Sequence, residues 1–170
     1  MQSPPAPRSL FLRLVTTWLL TAVTDAIFSS VLVTLFYKST FARLWQGVAS
    51  VLLGPEAMNG GQRTVVIGLV MHFGVALAWS LVFLLLYESS HRIRALAHSR
   101  FGVIKVASVY GPFIWLVMSI IVIPLFAHRP PRFNFRWIVQ LLGHIPFVAV
   151  PIVWGISRDG PPAVPHTQPA

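Results

Sequence analysis

Residues 65–87, VVIGLVMHFGVALAWSLVFLLLY, decide the fold, because these 23 residues include no Asp, Glu, Lys or Arg. A helix rises about 1.5 Å per residue, so a stretch of this length crosses the roughly 30 Å hydrocarbon core of a bilayer. Residues 14–37, 103–127 and 137–156 are also long apolar stretches, with Asp25 in the first and Lys105 near the start of the second. The last two contain prolines, which spanning helices tolerate. We therefore predict an all-α, polytopic membrane protein with four transmembrane helices.

The composition agrees with this fold class. The chain is 55% hydrophobic and 10% charged, whereas a soluble domain has about 25% charged residues. Its formal net charge is +9, but the basic residues lie at the ends of the apolar stretches, as in membrane proteins. A lipid bilayer therefore explains the basicity better than a nucleic acid does. The absence of cysteine excludes disulfides, thiolate metal sites and iron–sulfur clusters, and the sequence carries no recognisable catalytic or metal-binding motif.

A shorter segment, residues 40–53, separates the first two apolar stretches and is amphipathic. Its apolar side chains recur with helical spacing: Phe41, Leu44, Trp45, Val48, Val51 and Leu52. Its polar side chains fall on the opposite face: Arg43, Gln46 and Ser50. This pattern predicts an interfacial helix with Trp45 at the depth of the lipid headgroups, or a short helix packed over the mouth of the bundle. In either case it is too short to span.

The ends of the chain are rich in proline and polar residues. We predict a disordered N-terminal tail over residues 1–9, a transmembrane bundle over residues 10–156, and a disordered C-terminal tail over residues 157–170. Four spans place seven basic residues on the side of the termini: Arg8, Arg13, Arg92, Arg94, Arg100, Lys105 and Arg158. Six lie on the other side: Lys38, Arg43, Arg63, Arg129, Arg132 and Arg136. The dense middle loop and the short N-terminal flank favour termini in the cytoplasm.

The last third to half of the chain carries a family resemblance. Residues 123–158, IPLFAHRPPRFNFRWIVQLLGHIPFVAVPIVWGISR, contain a P-L-x-x-x-x-P-P turn, a tryptophan that opens the last helix, and the pair Gly143-His144. Together with residues 100–120, RFGVIKVASVYGPFIWLVMSI, this region resembles the YagU family of uncharacterised bacterial inner-membrane proteins. The resemblance implies a small helical bundle in a bacterial inner membrane. It implies no catalytic residue.

Asp25 is the one charged residue within the first apolar stretch. A carboxylate near the centre of a bilayer costs at least about 2.5 kcal/mol, so Asp25 is expected to face the bundle interior. Thr17, Thr21 and Ser29 lie on the same side of the helix, because they are spaced four residues apart along with Asp25. The carboxyl group could handle protons or cations, or it could be a neutral group that stabilises helix packing through a hydrogen bond.

His72 and His144 are the second feature. Small residues, Gly68 and Ala76, flank His72 on its helix face, and Gly143 precedes His144, so close helix approach is expected. We predict that the two histidines come close, as a hydrogen-bonded pair, as a proton relay with Asp25, or as axial ligands of a haem. Counting from the predicted helix ends places Asp25 roughly 6 Å deeper than the histidines. By that count direct contact with Asp25 is doubtful.

Two serines complete the predicted site. Ser29 lies closer to the predicted depth of the histidines than Asp25 does, and Ser119 of the third span is expected at the same level. The favoured function is proton relay, or the binding of a small solute, in a polar bundle interior. The alternatives are a membrane redox protein with a haem on the two histidines, and a non-catalytic assembly partner that could pair with itself or with another membrane protein. No soluble domain is large enough for a catalytic pocket, so an enzyme is not favoured.

Overall fold

The computed structural model describes residues 9–158, and within them every regular element is helical. Four helices are long and apolar enough to cross a membrane: α1, Leu10–Phe36; α3, Gly61–Ser89; α5, Gly102–Ala127; and α6, Phe135–Ser157. Two shorter helices are α2, Phe41–Leu53, and α4, His91–Ala97. The prediction of a multi-pass helical membrane protein with four spans and a shorter helix after the first is confirmed.

The helix ends differ from the predicted ones by a few residues. The hydroxyl of Ser9 accepts a hydrogen bond from the backbone N–H of Leu12, so Ser9 caps α1 and belongs to the fold rather than to a tail. Helix α3 begins at Gly61, four residues before the predicted start. Ser157 is the buried last residue of α6, so the predicted boundary of the C-terminal tail at that residue is wrong. Residues 1–8 and 159–170, where the rest of the predicted tails falls, lie outside the described residues.

Three of the spans contain a wide helical turn. In α5 the wide turn covers Val117–Val122 and precedes Pro124, and in α6 it covers Ile145–Ala149 and includes Pro146. A proline ring cannot donate a backbone hydrogen bond and crowds the preceding turn, so the local backbone shifts to a longer hydrogen-bonded loop. A similar turn ends α1 at Leu32–Phe36 without a proline.

Helix α1 packs against α3 and α6, and α6 also packs against α5. We call the end of the bundle with Ser9 and Arg158 the near end, and the opposite end, with α2 and the loop between α5 and α6, the far end. The main apolar core lies towards the near end and is built from Phe83, Tyr87, Tyr110, Ile114 and Ile152 with their neighbours. Large apolar side chains cover the outer surface of the spans, as a lipid environment requires.

Helix α2 packs along the first turns of α3, and its orientation differs from the prediction. The Trp45 side chain is 1% exposed, so it is buried in protein and does not lie free at the membrane surface. Gln46 and Ser50, predicted on an outward polar face, are buried, and Gln46 donates a hydrogen bond to the Gly61 carbonyl oxygen at 3.3 Å. The apolar face is divided, with Phe41 exposed on the outside and Leu44 and Val48 partly buried. Polar groups turn inward here because the bundle offers them hydrogen-bond partners and lipid does not.

Candidate functional site

Asp25 of α1 and His72 of α3 face each other inside the bundle. The Asp25 Oδ2 atom lies 3.8 Å from the His72 Nδ1 atom. The side chains are 17% and 13% exposed, respectively. Along the predicted inward stripes, Thr21, Gly68 and Ala76 are buried, and Ser29 is half-buried. The pair is therefore an ionisable group of two residues held between two spanning helices.

Direct contact between Asp25 and His72 was doubtful from the predicted helix ends, but the structure brings the two side chains together. The doubt came from the predicted start of the second span at residue 65, which placed His72 too close to the membrane surface. With α3 beginning at Gly61, His72 is 11 residues from the far end of its helix, and Asp25 is 11 residues from the far end of α1. The two side chains thus lie at the same depth, and Ser29 lies one turn beyond them.

A backbone carbonyl fixes the tautomer of His72. The Nε2 atom of His72 lies 2.9 Å from the carbonyl oxygen of Ala22, one turn before Asp25 on α1. A carbonyl oxygen only accepts hydrogen bonds, so Nε2 must carry a proton and donate it. The remaining nitrogen, Nδ1, faces the carboxyl group of Asp25. A second proton can therefore sit either on Nδ1, as an imidazolium beside a carboxylate, or on Asp25, as a neutral acid beside a neutral imidazole.

Aromatic rings enclose the imidazole of His72. The Trp45 ring of α2 meets it edge to face, with centroids 5.0 Å apart, and the Phe73 ring lies 5.8 Å away. Phe73 is itself tied to α1, because the indole N–H of Trp18 donates to the Phe73 carbonyl oxygen at 2.7 Å. Close helix packing brings Trp45 there, since a Cβ atom at Gly68 would collide with the Trp45 backbone. Helix α2 therefore forms a wall of the site.

The Asp25 carboxyl group is incompletely satisfied. Its Oδ1 atom is buried and has no hydrogen-bond partner among the described residues. The hydroxyls of Thr17 and Thr21, on the same stripe, and the indole N–H of Trp45 are also buried without partners there. Buried polar atoms in folded proteins almost always have a partner, which is often an ordered water molecule. The stripe thus offers donors and acceptors suited to bound water or a mobile proton.

His144 lies on α6 and has its own backbone partner. Its Nδ1 atom donates to the carbonyl oxygen of Gln140 at 2.7 Å, and its ring lies 4.9 Å from the Trp115 ring. The predicted hydrogen-bonded pair of His72 and His144 is therefore not formed, because each imidazole uses a carbonyl oxygen instead of the other ring. The Phe28 ring of α1 packs against Gly143, the residue before His144.

The two predicted serines have different surroundings. Ser29 is half-buried and makes no side-chain hydrogen bond to either histidine. Ser119 is 7% exposed, and its hydroxyl has no partner among residues 9–158. It lies in the wide turn of α5 and faces a cleft at the far end, together with Trp115 and Gln140. The structure thus brings Asp25 and His72 together and assigns Ser119 to a different surface.

The near end of the bundle holds a charge network that was not predicted from the sequence. The Arg13 side chain is only 3% exposed, and it donates hydrogen bonds to Glu88 Oε1 at 3.0 Å and to the Ile156 carbonyl oxygen at 2.7 Å. Arg94 of α4 donates to the Glu88 carbonyl oxygen at 2.8 Å and also lies 3.8 Å from its carboxylate. One signal was present in the sequence, because Arg13 precedes Thr17 by four residues and extends the inward stripe of α1.

The haem hypothesis has little support in this geometry. The His72 Nε2 atom donates to Ala22, its Nδ1 atom faces Asp25, and two aromatic rings contact its faces and edges. This arrangement does not favour iron ligation, although His144 donates through Nδ1 as a haem ligand would. No group of three or more His, Asp or Glu side chains in the described part of the chain could hold a metal ion.

Comparison with protein-family models, with curated proteins and with solved structures gives no match to this chain. The resemblance to the YagU family therefore stays a prediction from the sequence. Because a helical bundle by itself specifies no activity, function has to come from the chemistry of the residues inside it.

Proposed function

We propose that this membrane protein binds and relays protons at the Asp25–His72 pair. The observation that carries the proposal is the pair of contacts made by His72, with Nε2 on the Ala22 carbonyl oxygen at 2.9 Å and Nδ1 facing Asp25 at 3.8 Å. The carbonyl fixes one proton, so the second proton is shared between an imidazole and a carboxyl group. Intramembrane carboxylates and imidazoles of this kind are the usual components of proton pathways.

The energetics of the pair favour one shared proton. With that proton present, the pair has no net charge, whether it exists as an ion pair or as two neutral groups. Removing it leaves a carboxylate beside a neutral imidazole in the bundle interior, and adding another leaves an imidazolium beside a neutral acid. Each of these states buries a net charge, so water or a counter-charge must reach the pair when it changes state. Such a pair couples proton exchange to hydration of the bundle.

Two features support a route for the proton. The stripe of Thr17, Thr21 and Asp25 carries unpartnered oxygen atoms that can bind water along α1, on the side of the near end. On the side of α6, His144 follows Gly143, which packs against Phe28 of α1, and one of the His144 ring nitrogens is free of hydrogen bonds among the described residues. We assign His144 the role of a second proton-accepting group and not of a direct partner of His72.

The proposal extends to the location of the protein. We assign it to a bacterial inner membrane, with the near end and both termini facing the cytoplasm. The resemblance of residues 100–158 to the YagU family supports the inner membrane, and the dense basic loop between α3 and α5 supports the orientation. On this assignment α2 and the loop between α5 and α6 face the periplasm.

A proton-flux assay in liposomes tests the function. Wild-type protein, reconstituted with a pH-sensitive dye inside the vesicles, should dissipate an imposed pH gradient once a potassium ionophore compensates the charge. Asp25→Asn should slow the flux by at least about tenfold, because the amide cannot carry the shared proton. His72→Gln should slow it similarly, since Gln can keep the bond to Ala22 but cannot take up a proton.

Glu56→Gln provides the matched control. It makes the same change from carboxylate to amide, but Glu56 is exposed at the far end and forms no ion pair with any described residue. Its flux should equal that of the wild type. Equal flux in wild type, Asp25→Asn and protein-free liposomes would contradict the proposal and leave Asp25 and His72 as packing residues.

A further inference from the structure

A second feature, independent of the Asp25–His72 pair, is a cleft at the far end between the end of α5, the following loop and the start of α6. Its volume is about 300 Å³, which is the lower end of the range for small-ligand sites. Three arginines, Arg129, Arg132 and Arg136, lie around its rim, and all three are exposed. The cleft is thus open, and it is rich in positive charge.

No carboxylate neutralises these arginines within the described residues. Of the three carboxylates there, Asp25 faces His72, Glu88 pairs with Arg13, and Glu56 is not among the residues that line the cleft. Arg129 donates to the hydroxyl of Ser50 at 3.3 Å, and the Arg136 guanidinium lies 4.3 Å from the centre of the Tyr37 ring. Neither contact compensates a charge, so the cleft keeps a strong preference for an anion.

The floor of the cleft adds neutral donors to these charges. Trp115, Trp137 and Ser119 are among the residues that line it, and their indole N–H groups and hydroxyl are buried without a hydrogen-bond partner in the described part of the chain. A buried donor without an acceptor destabilises a fold, because it has lost its hydrogen bond to water and has gained none in the protein. Three such donors around one cavity are explained if a ligand with several acceptor oxygens occupies it.

We propose that this cleft binds a phosphate group. A phosphate presents several acceptor oxygens and a negative charge, and the planar guanidinium of arginine matches it with paired hydrogen bonds. The start of α6 also points its N-terminus at this region, which favours an anion further. Asn134 at that terminus is occupied as a helix cap, since its Oδ1 atom accepts from the Trp137 N–H at 3.0 Å. The ligand therefore meets mainly donors.

The phosphate could be free in solution or part of a phospholipid headgroup. A neighbouring cavity of about 540 Å³ shares Asn134 and Arg136 with the cleft and is lined also by Phe36, Tyr37 and Phe135. It lies between α1 and α6 and offers apolar and aromatic surface next to the arginines. A lipid could place its headgroup on the arginines and its glycerol end against this surface, whereas inorganic phosphate would need the cleft alone.

Two binding measurements on the full chain test the proposal. In nanodiscs of neutral phosphatidylcholine, inorganic phosphate is titrated while tryptophan fluorescence is followed, because Trp115 and Trp137 line the cleft. In nanodiscs that also contain phosphatidylglycerol, native mass spectrometry counts the anionic lipids that remain bound after detergent release. Saturable binding in the first arm identifies free phosphate as the ligand, and retention of one lipid in the second arm identifies a headgroup.

Matched variants separate a built site from general surface charge. Arg132→Gln should weaken binding at least about tenfold, as expected for loss of one charge-assisted contact. Arg43→Gln makes the same change at an exposed arginine of α2, which lies at the same end of the bundle but outside the cleft. It should change binding less than about twofold. Ser119→Ala should weaken binding a few fold without any change of charge. Failure of both arms to show saturable binding, or equal effects of Arg43→Gln and Arg132→Gln, would overturn the proposal.

Discussion

The two ends of this bundle carry similar numbers of basic residues but use them differently. At the near end, Arg13 and Arg94 both contact Glu88, and the Arg13 guanidinium also lies 5.5 Å from the centre of the Tyr87 ring. At the far end, none of the cleft arginines meets a carboxylate of the described chain. The near end is held together by compensated charge beside a dense apolar core. The far end is held together by close helix packing, which leaves its charges available.

This difference separates structural from functional charges. Arg13 is 3% exposed and donates to a glutamate and to a carbonyl oxygen, so it lacks the capacity to bind a ligand from solution and instead stabilises the fold. Exposed arginines around a cleft with unpartnered donors have that capacity. Between the two ends lies the Asp25–His72 pair, in which the two side chains compensate each other's charge only when one shared proton is present. Net charge counted along the sequence cannot distinguish these three situations, because it ignores which charges meet.

The largest effect is expected from breaking the near-end network. Glu88→Gln removes the charge that compensates buried Arg13, and it should lower the free energy of unfolding by about 3 kcal/mol. Reversible unfolding in mixed micelles measures the change. The matched substitution Glu56→Gln, on an exposed carboxylate that forms no ion pair with the described part of the chain, should change the free energy of unfolding by less than about 0.5 kcal/mol. Equal effects of the two substitutions would show that the near-end network does not stabilise the fold.

A smaller effect is expected from the packing that holds the far end. Gly68→Ala places a methyl group against the Trp45 backbone, so α2 must move away from α3, at a cost of about 2 kcal/mol. Gly74→Ala, on the same helix, meets no atom within 4 Å and should be neutral or stabilising by up to about 1 kcal/mol. The same unfolding assay compares them. If Gly68→Ala proved as harmless as Gly74→Ala, α2 would not be packed as described.

The smallest effect on stability is expected at the cleft. Arg132→Gln removes an exposed charge that has no carboxylate partner among residues 9–158, so it should change the free energy of unfolding by less than about 0.5 kcal/mol. The same variant should lose phosphate binding, which makes the loss a binding effect. Destabilisation comparable to that of Glu88→Gln would show that the far-end arginines are structural too, and the contrast between the two ends would disappear.

The four spans could be predicted from the sequence because their signal is local. A run such as residues 65–87 is apolar over the thickness of a bilayer, and no knowledge of its neighbours is needed to recognise it. The inward direction of Asp25 and His72 followed from the same reasoning, since lipid satisfies neither group. The amphipathic pattern of residues 40–53 predicted a helix correctly, but it did not reveal that Gln46 and Ser50 face the bundle.

The pairing of residues between helices could not be predicted in this way. An error of four residues at the start of α3 was enough to misplace His72 relative to Asp25, since four residues correspond to about 6 Å of depth. The hydrogen-bond partners of the histidines were also not predicted. They are the backbone carbonyl oxygens of Ala22 and Gln140, and since every residue has such a carbonyl, the residue types do not indicate which one is used. Arg13 was counted as a flanking charge, although its spacing to Thr17 placed it on the inward stripe.

The protonation state of His72 is the most direct test of the proton-sharing pair. Nitrogen-15 NMR of histidine-labelled protein in bilayers, with the His72 signals assigned by their loss in His72→Gln, reports each ring nitrogen separately. The account predicts that Nε2 carries a proton throughout the titration, that Nδ1 exchanges one with pH, and that Asp25→Asn reduces the doubly protonated fraction at a given pH. A His72 ring with an unprotonated Nε2, or with signals that Asp25→Asn leaves unchanged, would contradict it.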